Sequence, residues 1–150
     1  MIKYMNLVGI KARKASECKV TTEVKNKVLN DYAKLIKNEK KFIINQNSKD
    51  INYARKKGLK ENLIKRLHLN DSKLNGIINS ISKIAKLRDP IDKDLEKWKR
   101  PNGLNIKRVS IPIGVIGVIY ESRPNVTSDV ASLCFKSGNV VILKLSLIHI

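Results

Sequence analysis

The residues best suited to chemistry follow two apolar segments near the end of the chain. Glu121, Arg123 and Asn125 come directly after the run at residues 113–120, and Lys144 ends the run at residues 139–144. In open α/β sheets, ligands bind beyond the carboxyl ends of the strands. If both runs are strands, residues 121–125 and Lys144 are therefore candidate ligand contacts. The polar segment would also lead into a helix N-terminus, whose free N–H groups favour anions.

Other catalytic patterns are missing from the sequence. A Gly-x-Gly-x-x-Gly turn and a Gly-x-x-x-x-Gly-Lys-Ser/Thr loop are both absent, and Gly114 and Gly117 fall inside the first apolar run. Cys18 and Cys134 are far apart in the sequence and no Cys/His cluster accompanies them, so we predict no metal site. His68 follows an amphipathic segment and reads as a surface residue.

The elements that position these residues form a parallel unit. Residues 113–120 are β-branched and do not alternate with polar residues, which predicts a strand buried on both faces. We predict a helix capped by Thr127 or Ser128, running to about Lys136 and stopped by Gly138, before the second strand. Strand, helix and strand within about 32 residues make a crossover unit of a parallel sheet.

The region before this unit reads as helices. Apolar positions three and four residues apart predict helices over residues 3–18, 22–37, 42–44, 48–57 and 63–67, and a final helix that Asp71 or Ser72 opens and Asp89-Pro90 ends. Thr21 or Thr22 can cap the second helix, and we expect its apolar face to consist of Val24, Val28, Tyr32, Leu35 and Ile36. Pro101-Asn102-Gly103 predicts a charged β-hairpin over residues 93–110.

The formal net charge of +18 would suit a nucleic-acid-binding protein. We prefer biased composition as the explanation, because the excess is mostly lysine spread along several helices and arginine reads phosphates and bases better. A basic nucleic-acid-binding protein remains an alternative, and so does a non-catalytic nucleotide-binding module. No apolar run reaches the roughly 20 residues of a membrane span, and no secretory signal is visible, so we predict a cytoplasmic protein without a membrane partner.

Residues 112–127, PIGVIGVIYESRPNVT, closely resemble the signature segment of the γ-glutamyl phosphate reductases, also called glutamate-5-semialdehyde dehydrogenases, in the aldehyde dehydrogenase superfamily. Residues 132–144, SLCFKSGNVVILK, continue the resemblance, and NQNSKD, ARKKGL and LRDP occur where the family has similar segments. The resemblance covers residues 4–144. It implies an α/β fold in which N-terminal helices precede the start of a parallel, Rossmann-like NADP-binding sheet.

The resemblance also implies an activity. The family reduces L-glutamyl 5-phosphate with NADPH to glutamate 5-semialdehyde and phosphate, in proline biosynthesis. A cysteine thiolate attacks the acyl phosphate and hydride transfer then reduces the thioester. The resemblance further implies a homo-oligomer and contact with glutamate 5-kinase, and no role for nucleic acid.

Site residues transfer by position in the matching segments. Asn125 matches the superfamily asparagine that stabilises the oxyanion, and Lys144 matches a basic residue that contacts the adenosine ribose or its 2′-phosphate. The remaining cofactor contacts are implied for Ile116, Gly117, Val118, Ile119 and Tyr120. Arg123 is a candidate for substrate phosphate or carboxylate, on charge and position alone.

The chain departs from the family in two places. The nucleophilic cysteine lies beyond residue 144 in the family, and residues 145–150 do not match the glycine-rich turn that follows there. We therefore divide the chain into a helical region (1–92), a hairpin (93–110), a β-α-β unit (111–144) and an atypical tail (145–150). This reading makes the chain the N-terminal part of a cofactor-binding domain, with no catalytic domain, and predicts that it is inactive alone.

Overall fold

A computed structural model describes residues 2–121 and 123–145. Five helices come first: α1 (Ile2–Ser16), α2 (Thr22–Asn38), α3 (Lys40–Lys56), α4 (Glu61–Leu67) and α5 (Asp71–Lys86). Two antiparallel strands, β1 (Asp94–Lys99) and β2 (Asn105–Val109), then precede a parallel unit of β3 (Val115–Tyr120), α6 (Pro124–Lys136) and β4 (Val140–Leu145). The predicted α/β class, with helices before the start of a parallel sheet, is confirmed.

The main core lies between α2 and α5. Leu29, Ala33 and Ile36 of α2 pack against the apolar face of α5, where Ile81 is fully buried. The face predicted for α5 is confirmed, since Leu74, Ile77, Ile81, Ile84 and Ala85 are all buried. None of the described helices is long and apolar enough to cross a membrane.

The predicted apolar face of α2 is partly wrong. Ile36 is buried and Tyr32 packs against the core, as predicted, but Val24, Val28 and Leu35 are roughly half exposed. The buried stripe instead includes Lys25, Leu29 and Ala33. The helix does begin as predicted, with Thr21 accepting a hydrogen bond from the backbone N–H of Val24.

Two helix boundaries also differ from the predictions. The helices predicted over residues 42–44 and 48–57 are one continuous helix, α3, because Ser48 donates its hydroxyl to the Ile44 carbonyl and does not cap a helix start. The last helix of this region, α5, opens at Asp71 as predicted, and its cap is Asn70, which accepts from the backbone N–H of Lys73 at 2.8 Å.

The β1–β2 hairpin is present around Pro101-Asn102-Gly103, with Lys99 opposite Asn105. Every residue of β1 is exposed, and in β2 only Ile106 is partly covered. Gly103 has a φ of +87°, a left-handed conformation that favours glycine in such a turn. The hairpin thus extends from the helical body as a solvent-facing ribbon.

The parallel unit is closed by a short turn after α6. Gly138, with a φ of +69°, and Asn139 end the helix: the N–H of Gly138 donates to the Phe135 carbonyl and that of Asn139 to the Cys134 carbonyl. The Asn139 side chain then accepts the Gly114 N–H at 2.9 Å, and the Val140 N–H donates to the Gly114 carbonyl. These bonds start the ladder in which Val115 pairs with Val140.

Burial on both faces was predicted for the first strand, and this is wrong for β3. Ile113 precedes the strand and is 84% exposed, and Ile119 within it is 72% exposed. Ile116, Val118 and Tyr120 are half buried on the alternate positions. A bond of 2.6 Å between the Tyr120 hydroxyl and Thr127 directs these positions toward α6. One face of β3 is therefore partly covered, on the side of α6, while apolar side chains on the other stay exposed. Helix α1 also contacts both β3 and β4.

Two buried lysines fix the packing of the helices, and one of them, Lys136, also joins the parallel unit to them. Lys25 Nζ lies 2.9 Å from Asp89 Oδ2, which also accepts from the Thr22 hydroxyl at 2.8 Å. Lys136, at the end of α6, donates to the Ala85 carbonyl near the C-terminus of α5 at 2.9 Å and to Asn26 of α2. A cation at a helix C-terminus meets the unpaired carbonyls and the negative end of the helix dipole. Lys136 therefore connects three helices at one point.

Replacing Asp89 should destabilise the chain. Burial by itself raises the pKa of Asp89, but hydrogen bonds from Lys25, the Ile91 N–H and Thr22 outweigh it and hold the pKa below its ordinary value. Asp89→Asn leaves Lys25 buried without its counter-charge, so we expect the free energy of unfolding to fall by about 3–5 kcal/mol in urea titrations near neutral pH.

The effect of Asp89→Asn should depend on pH. A lowered folded-state pKa contributes stability above the unfolded pKa of about 4, and that contribution is lost as the pH falls through the folded-state value. The difference between wild type and Asp89→Asn should therefore shrink in acid. A difference that stays constant below about pH 4 would contradict the assignment. Asp31→Asn, at an exposed aspartate on α2, is the control and should be close to neutral.

The two helix-ending glycines provide a matched pair of variants. Gly58 and Gly138 have φ values of +70° and +69°, so alanine is strained equally at both. At Gly138 a Cβ would also lie 3.2 Å from Pro112 Cγ and 3.4 Å from Ile91 Cγ1, whereas at Gly58 no atom lies within 4 Å. We expect Gly58→Ala to cost about 1 kcal/mol and Gly138→Ala about 2–3 kcal/mol, from urea midpoints. Equal losses would show that contact with Pro112 and Ile91 is easily relieved.

Candidate functional site

The carboxyl ends of β3 and β4 lie side by side. In the parallel register Ile119 is opposite Lys144 and Tyr120 is opposite Leu145. Leu145, predicted to begin an atypical tail, is thus the last residue of β4; residues 146–150, including His149, lie outside the described part of the chain. Lys144 and the segment that follows β3 are therefore at one edge of the sheet, as the strand pattern predicts.

The polar segment after β3 is shorter than predicted because α6 begins at Pro124. Proline suits the first position of a helix, where its missing N–H has no partner to lose. Arg123 is the N-cap residue, and its carbonyl accepts from the Val126 N–H at 3.0 Å. Asn125 accordingly lies in the first turn of α6. Thr127 and Ser128, the predicted caps, lie inside the helix.

The side chain of Asn125 is exposed and tethered at one end. Its Nδ2 donates to Asp129 Oδ2 at 3.4 Å, and Asp129 Oδ1 accepts from the Ser80 hydroxyl of α5 at 2.9 Å. A primary amide has two N–H groups, so one of them is available to a ligand while the other faces Asp129. Such a donor can stabilise negative charge that develops on a carbonyl oxygen.

Lys144 is exposed next to an apolar strip on β3. Its partner in the ladder, Ile119, is also exposed, and the space beside Gly117 is open, with no atom within 4 Å of a Cβ built there. An ammonium beside a flat apolar surface suits a nucleotide, whose phosphate or ribose meets the charge and whose rings cover the strand. The residues present thus fit a dinucleotide. Ile116, Val118 and Tyr120 face α6, so only their backbone is available on this side.

Arg123 is exposed at the same edge, and among residues 2–121 and 123–145 it forms no ion pair. Its charge is therefore accessible to an anion near Asn125. A role in binding substrate stays a prediction.

The cysteines lie away from this edge. Cys134 is buried in α6, and burial raises the pKa of its thiol, which disfavours the nucleophilic thiolate. Cys18 is exposed between α1 and α2. It lines a cavity of about 1050 Å³ together with Ile111, Pro112 and Val140, at the amino ends of β3 and β4. A six-residue strand is about 20 Å long, so Cys18 and Asn125 are at opposite ends of the sheet. No cluster suited to a metal ion occurs among the described residues.

The sequence patterns did not predict that the loop between α3 and α4 lies near this end of the sheet. Lys57, Lys60 and Asn62, in and after the loop between α3 and α4, line a cavity of about 490 Å³ together with Glu121. The segment ARKKGL predicts only the end of a helix and resembles a segment of the family. Its proximity to β3 depends on the packing of α3 and α4, for which the sequence has no local signal.

Comparison with known proteins identifies the relatives of this chain. A γ-glutamyl phosphate reductase from Nautilia profundicola is 48% identical over 122 residues, which are 81% of this chain and 30% of the relative. The crystal structure of γ-glutamyl phosphate reductase from Thermotoga maritima matches 91% of the chain with a TM-score of 0.86 at 40% identity. The enzyme from Saccharomyces cerevisiae matches 90% with a TM-score of 0.85 at 33% identity. No family model matches the chain.

The matches are partial with respect to the relatives. The chain spans about a third of the length of the reductases that it matches, between 30% and 35% in these three. Sequence identities of 33–48% and a shared fold along nine-tenths of the chain show what it is similar to. Over the third of their length that it matches, this chain is a homologue of the γ-glutamyl phosphate reductases.

Proposed function

We propose that this chain provides the oxyanion donor and part of the cofactor surface of an enzyme that reduces L-glutamyl 5-phosphate to glutamate 5-semialdehyde and phosphate. The observation that carries the proposal is its 48% identity to a curated γ-glutamyl phosphate reductase. The position of Asn125 and Lys144 at one sheet edge supports the same role, because the reaction needs an oxyanion donor close to a bound nucleotide.

In the proposed reaction the chain's own residues bind the ligands and stabilise the charge that develops on the acyl oxygen. The Asn125 amide donates to the acyl oxygen when attack by the nucleophile makes that oxygen negative, and Asp129 keeps the amide nitrogen directed at it. Lys144 binds the ribose or 2′-phosphate, and Ile119 and Gly117 underlie the dinucleotide. NADPH, when bound, supplies the hydride that reduces the acyl group. Arg123 binds the substrate phosphate or carboxylate by charge.

The nucleophile is not among the cysteines of this chain in the proposed reaction. Cys134 is buried as a thiol and Cys18 is at the far end of the strands. The thiolate that displaces phosphate must therefore come from the part of the reductases that this chain does not match. Assembly as a homo-oligomer, contact with glutamate 5-kinase and a cytoplasmic location belong to the same proposal, and no nucleic-acid partner is part of it.

A fusion protein tests the role of Asn125. Residues 2–145 would replace the matching third of the Thermotoga maritima reductase, and NADPH formation would be followed with glutamate 5-semialdehyde, phosphate and NADP⁺. We expect an active fusion, and we expect Asn125→Ala to lower kcat by about 10²–10³-fold with little change in KM, the usual effect of removing one oxyanion donor.

Two controls accompany this experiment. Asn30→Ala removes an exposed amide from α2 and should leave kcat unchanged. The isolated 150-residue chain should show no turnover, because no thiolate near Asn125 can attack the acyl group. An active fusion in which Asn125→Ala keeps its full kcat would rule out the oxyanion role, and turnover by the isolated chain would refute the account of the nucleophile.

The same fusion tests Lys144. Lys144→Ala should raise KM for NADP⁺ by about tenfold, because a hydrogen bond to a charged group contributes about 1.5 kcal/mol. The KM for glutamate 5-semialdehyde should change little. Lys37→Ala, at an exposed lysine of α2, is the matched control. If both lysine variants change the cofactor KM equally, the effect is one of general charge and Lys144 has no specific contact.

A further inference from the structure

The loop between α3 and α4 has a defined shape. After the C-cap residue Lys57, Gly58 adopts a φ of +70° and donates its N–H to the Arg55 carbonyl, and the N–H of Leu59 donates to the Ala54 carbonyl. This pattern is the Schellman motif, which reverses the chain at a helix end. It turns the backbone sharply between Lys57 and Lys60.

A second small core anchors this loop. Ile51 and Ala54 of α3 pack with Ile64 of α4, and Leu59 and Leu67 cover them. The buried Asn47 side chain holds the other end of α4, since it donates to the Leu67 carbonyl at 2.9 Å and accepts from the Leu69 N–H at 2.8 Å. The loop is therefore positioned by packing and by hydrogen bonds at both ends of α4.

The anchored loop forms one wall of the cavity of about 490 Å³, and Glu121 closes it from the end of β3. Lys57, Lys60 and Asn62 contribute polar groups to the wall, while Leu59 and Leu63 contribute apolar surface. Glu121 directly follows β3 and precedes the candidate oxyanion donor Asn125 by four residues. The cavity thus adjoins the proposed reaction site.

The cavity contains charges of both signs, and they are not neutralised by ion pairs within the described chain. Among the residues that the structure describes, neither Lys57, Lys60 nor Glu121 takes part in an ion pair. Lys57 Nζ lies 5.6 Å from the centre of the Tyr53 ring, a contact that restrains its long side chain. Two ammonium groups, one amide and one carboxylate are therefore available to a ligand with the complementary arrangement.

We propose that this cavity binds the α-amino-acid head group of the substrate. Glu121 pairs with the α-ammonium, and Lys57 and Lys60 pair with the α-carboxylate, while Leu59 and Leu63 contact the methylene chain. The inference rests on the proposed function, because the acyl end of the same molecule then points toward Asn125. In this proposal Glu121 is a specificity residue, because it allows the site to distinguish an amino acid from a simple dicarboxylate.

The test uses the 150-residue chain, labelled with ¹⁵N and titrated with L-glutamate, glutarate or inorganic phosphate. L-glutamate has both head-group charges, glutarate lacks the ammonium, and phosphate reports anion binding alone. We expect L-glutamate to shift the backbone amide signals of Gly58, Lys60, Asn62 and Glu121 more strongly than the other two. Glu121→Gln should weaken L-glutamate binding by about tenfold and leave glutarate unaffected.

Matched variants complete the titration. Lys57→Gln combined with Lys60→Gln should weaken both L-glutamate and glutarate. Glu61→Gln removes the same charge from an exposed neighbour on α4 that does not line the cavity, and it should change neither. The proposal is overturned if L-glutamate causes no shift up to its solubility limit, or if glutarate or phosphate shifts the same signals equally. Signal dispersion in each spectrum reports that the variant is folded.

The fusion protein separates this inference from the proposed function. In an active fusion, Glu121→Gln should raise KM for glutamate 5-semialdehyde by about tenfold with kcat nearly unchanged, and Glu61→Gln should change neither. An active fusion with an unaltered KM removes the head-group site and leaves the reductase function standing. An inactive fusion, together with selective L-glutamate binding by the isolated chain, would support the head-group site and count against the reductase function.

Discussion

The arrangement of the candidate site depends on the register between β3 and β4, and that register begins at Asn139. Its side chain accepts the Gly114 N–H, while the next residue, Val140, donates to the Gly114 carbonyl. The two strands then pair residue by residue to Tyr120 and Leu145. A shift of one residue would move every side chain to the opposite face. Lys144 would then leave the open side of the sheet, where it lies next to Ile119.

Buried charge fixes the packing of the helices and, through Lys136, of this parallel unit against them. Lys136 reaches from the end of α6 to the Ala85 carbonyl, and Lys25 pairs with Asp89 in the segment that leads out of α5. A buried ion pair gains little over apolar packing, but losing one partner is expensive. The Lys25–Asp89 pair and the hydrogen bonds of Lys136 therefore act mainly as constraints on which surfaces meet. In a chain of net charge +18, these two lysines are set apart from the solvated majority by their burial.

The two ends of the β3–β4 sheet have different characters. The carboxyl end carries Asn125 and Lys144, with Glu121 and the α3–α4 loop close by, and these groups are exposed. The amino end borders a larger cavity that contains an exposed thiol, Cys18, and is far from the proposed oxyanion donor. Chemistry on an acyl group needs an oxyanion donor, a nucleotide-binding surface and a substrate-binding site at one place. In the described part of the chain, the residues that we propose for all three lie at the carboxyl end. The exposed apolar face of β3 runs along the strand and reaches that end at Ile119.

The sequence by itself determined the elements with strong local signals. The Thr21 cap, the glycine ends at Gly58 and Gly138, the apolar face of α5, the hairpin turn and the β-α-β unit are all encoded by residues close together in the chain. The specific string at residues 112–127 also predicted the resemblance to the reductases, and the strand pattern placed residues 121–125 and Lys144 at one end of the sheet. These features follow from caps, turns and periodicity, which act over a few residues.

Only the tertiary structure decided which surfaces are buried and which loops are neighbours. Lys25 and Ala33 displaced Val24 and Val28 from the buried face of α2, because an acid 64 residues away neutralises Lys25. The continuous apolar run predicted both faces of β3 to be covered, yet burial requires a partner, and in the described chain only alternate residues of β3 are partly covered. The approach of Lys57 and Lys60 to Glu121 likewise depends on how α3 and α4 pack. Long-range contacts of this kind leave no pattern in the local sequence, because nothing in the residues next to either partner indicates which distant residue it will contact.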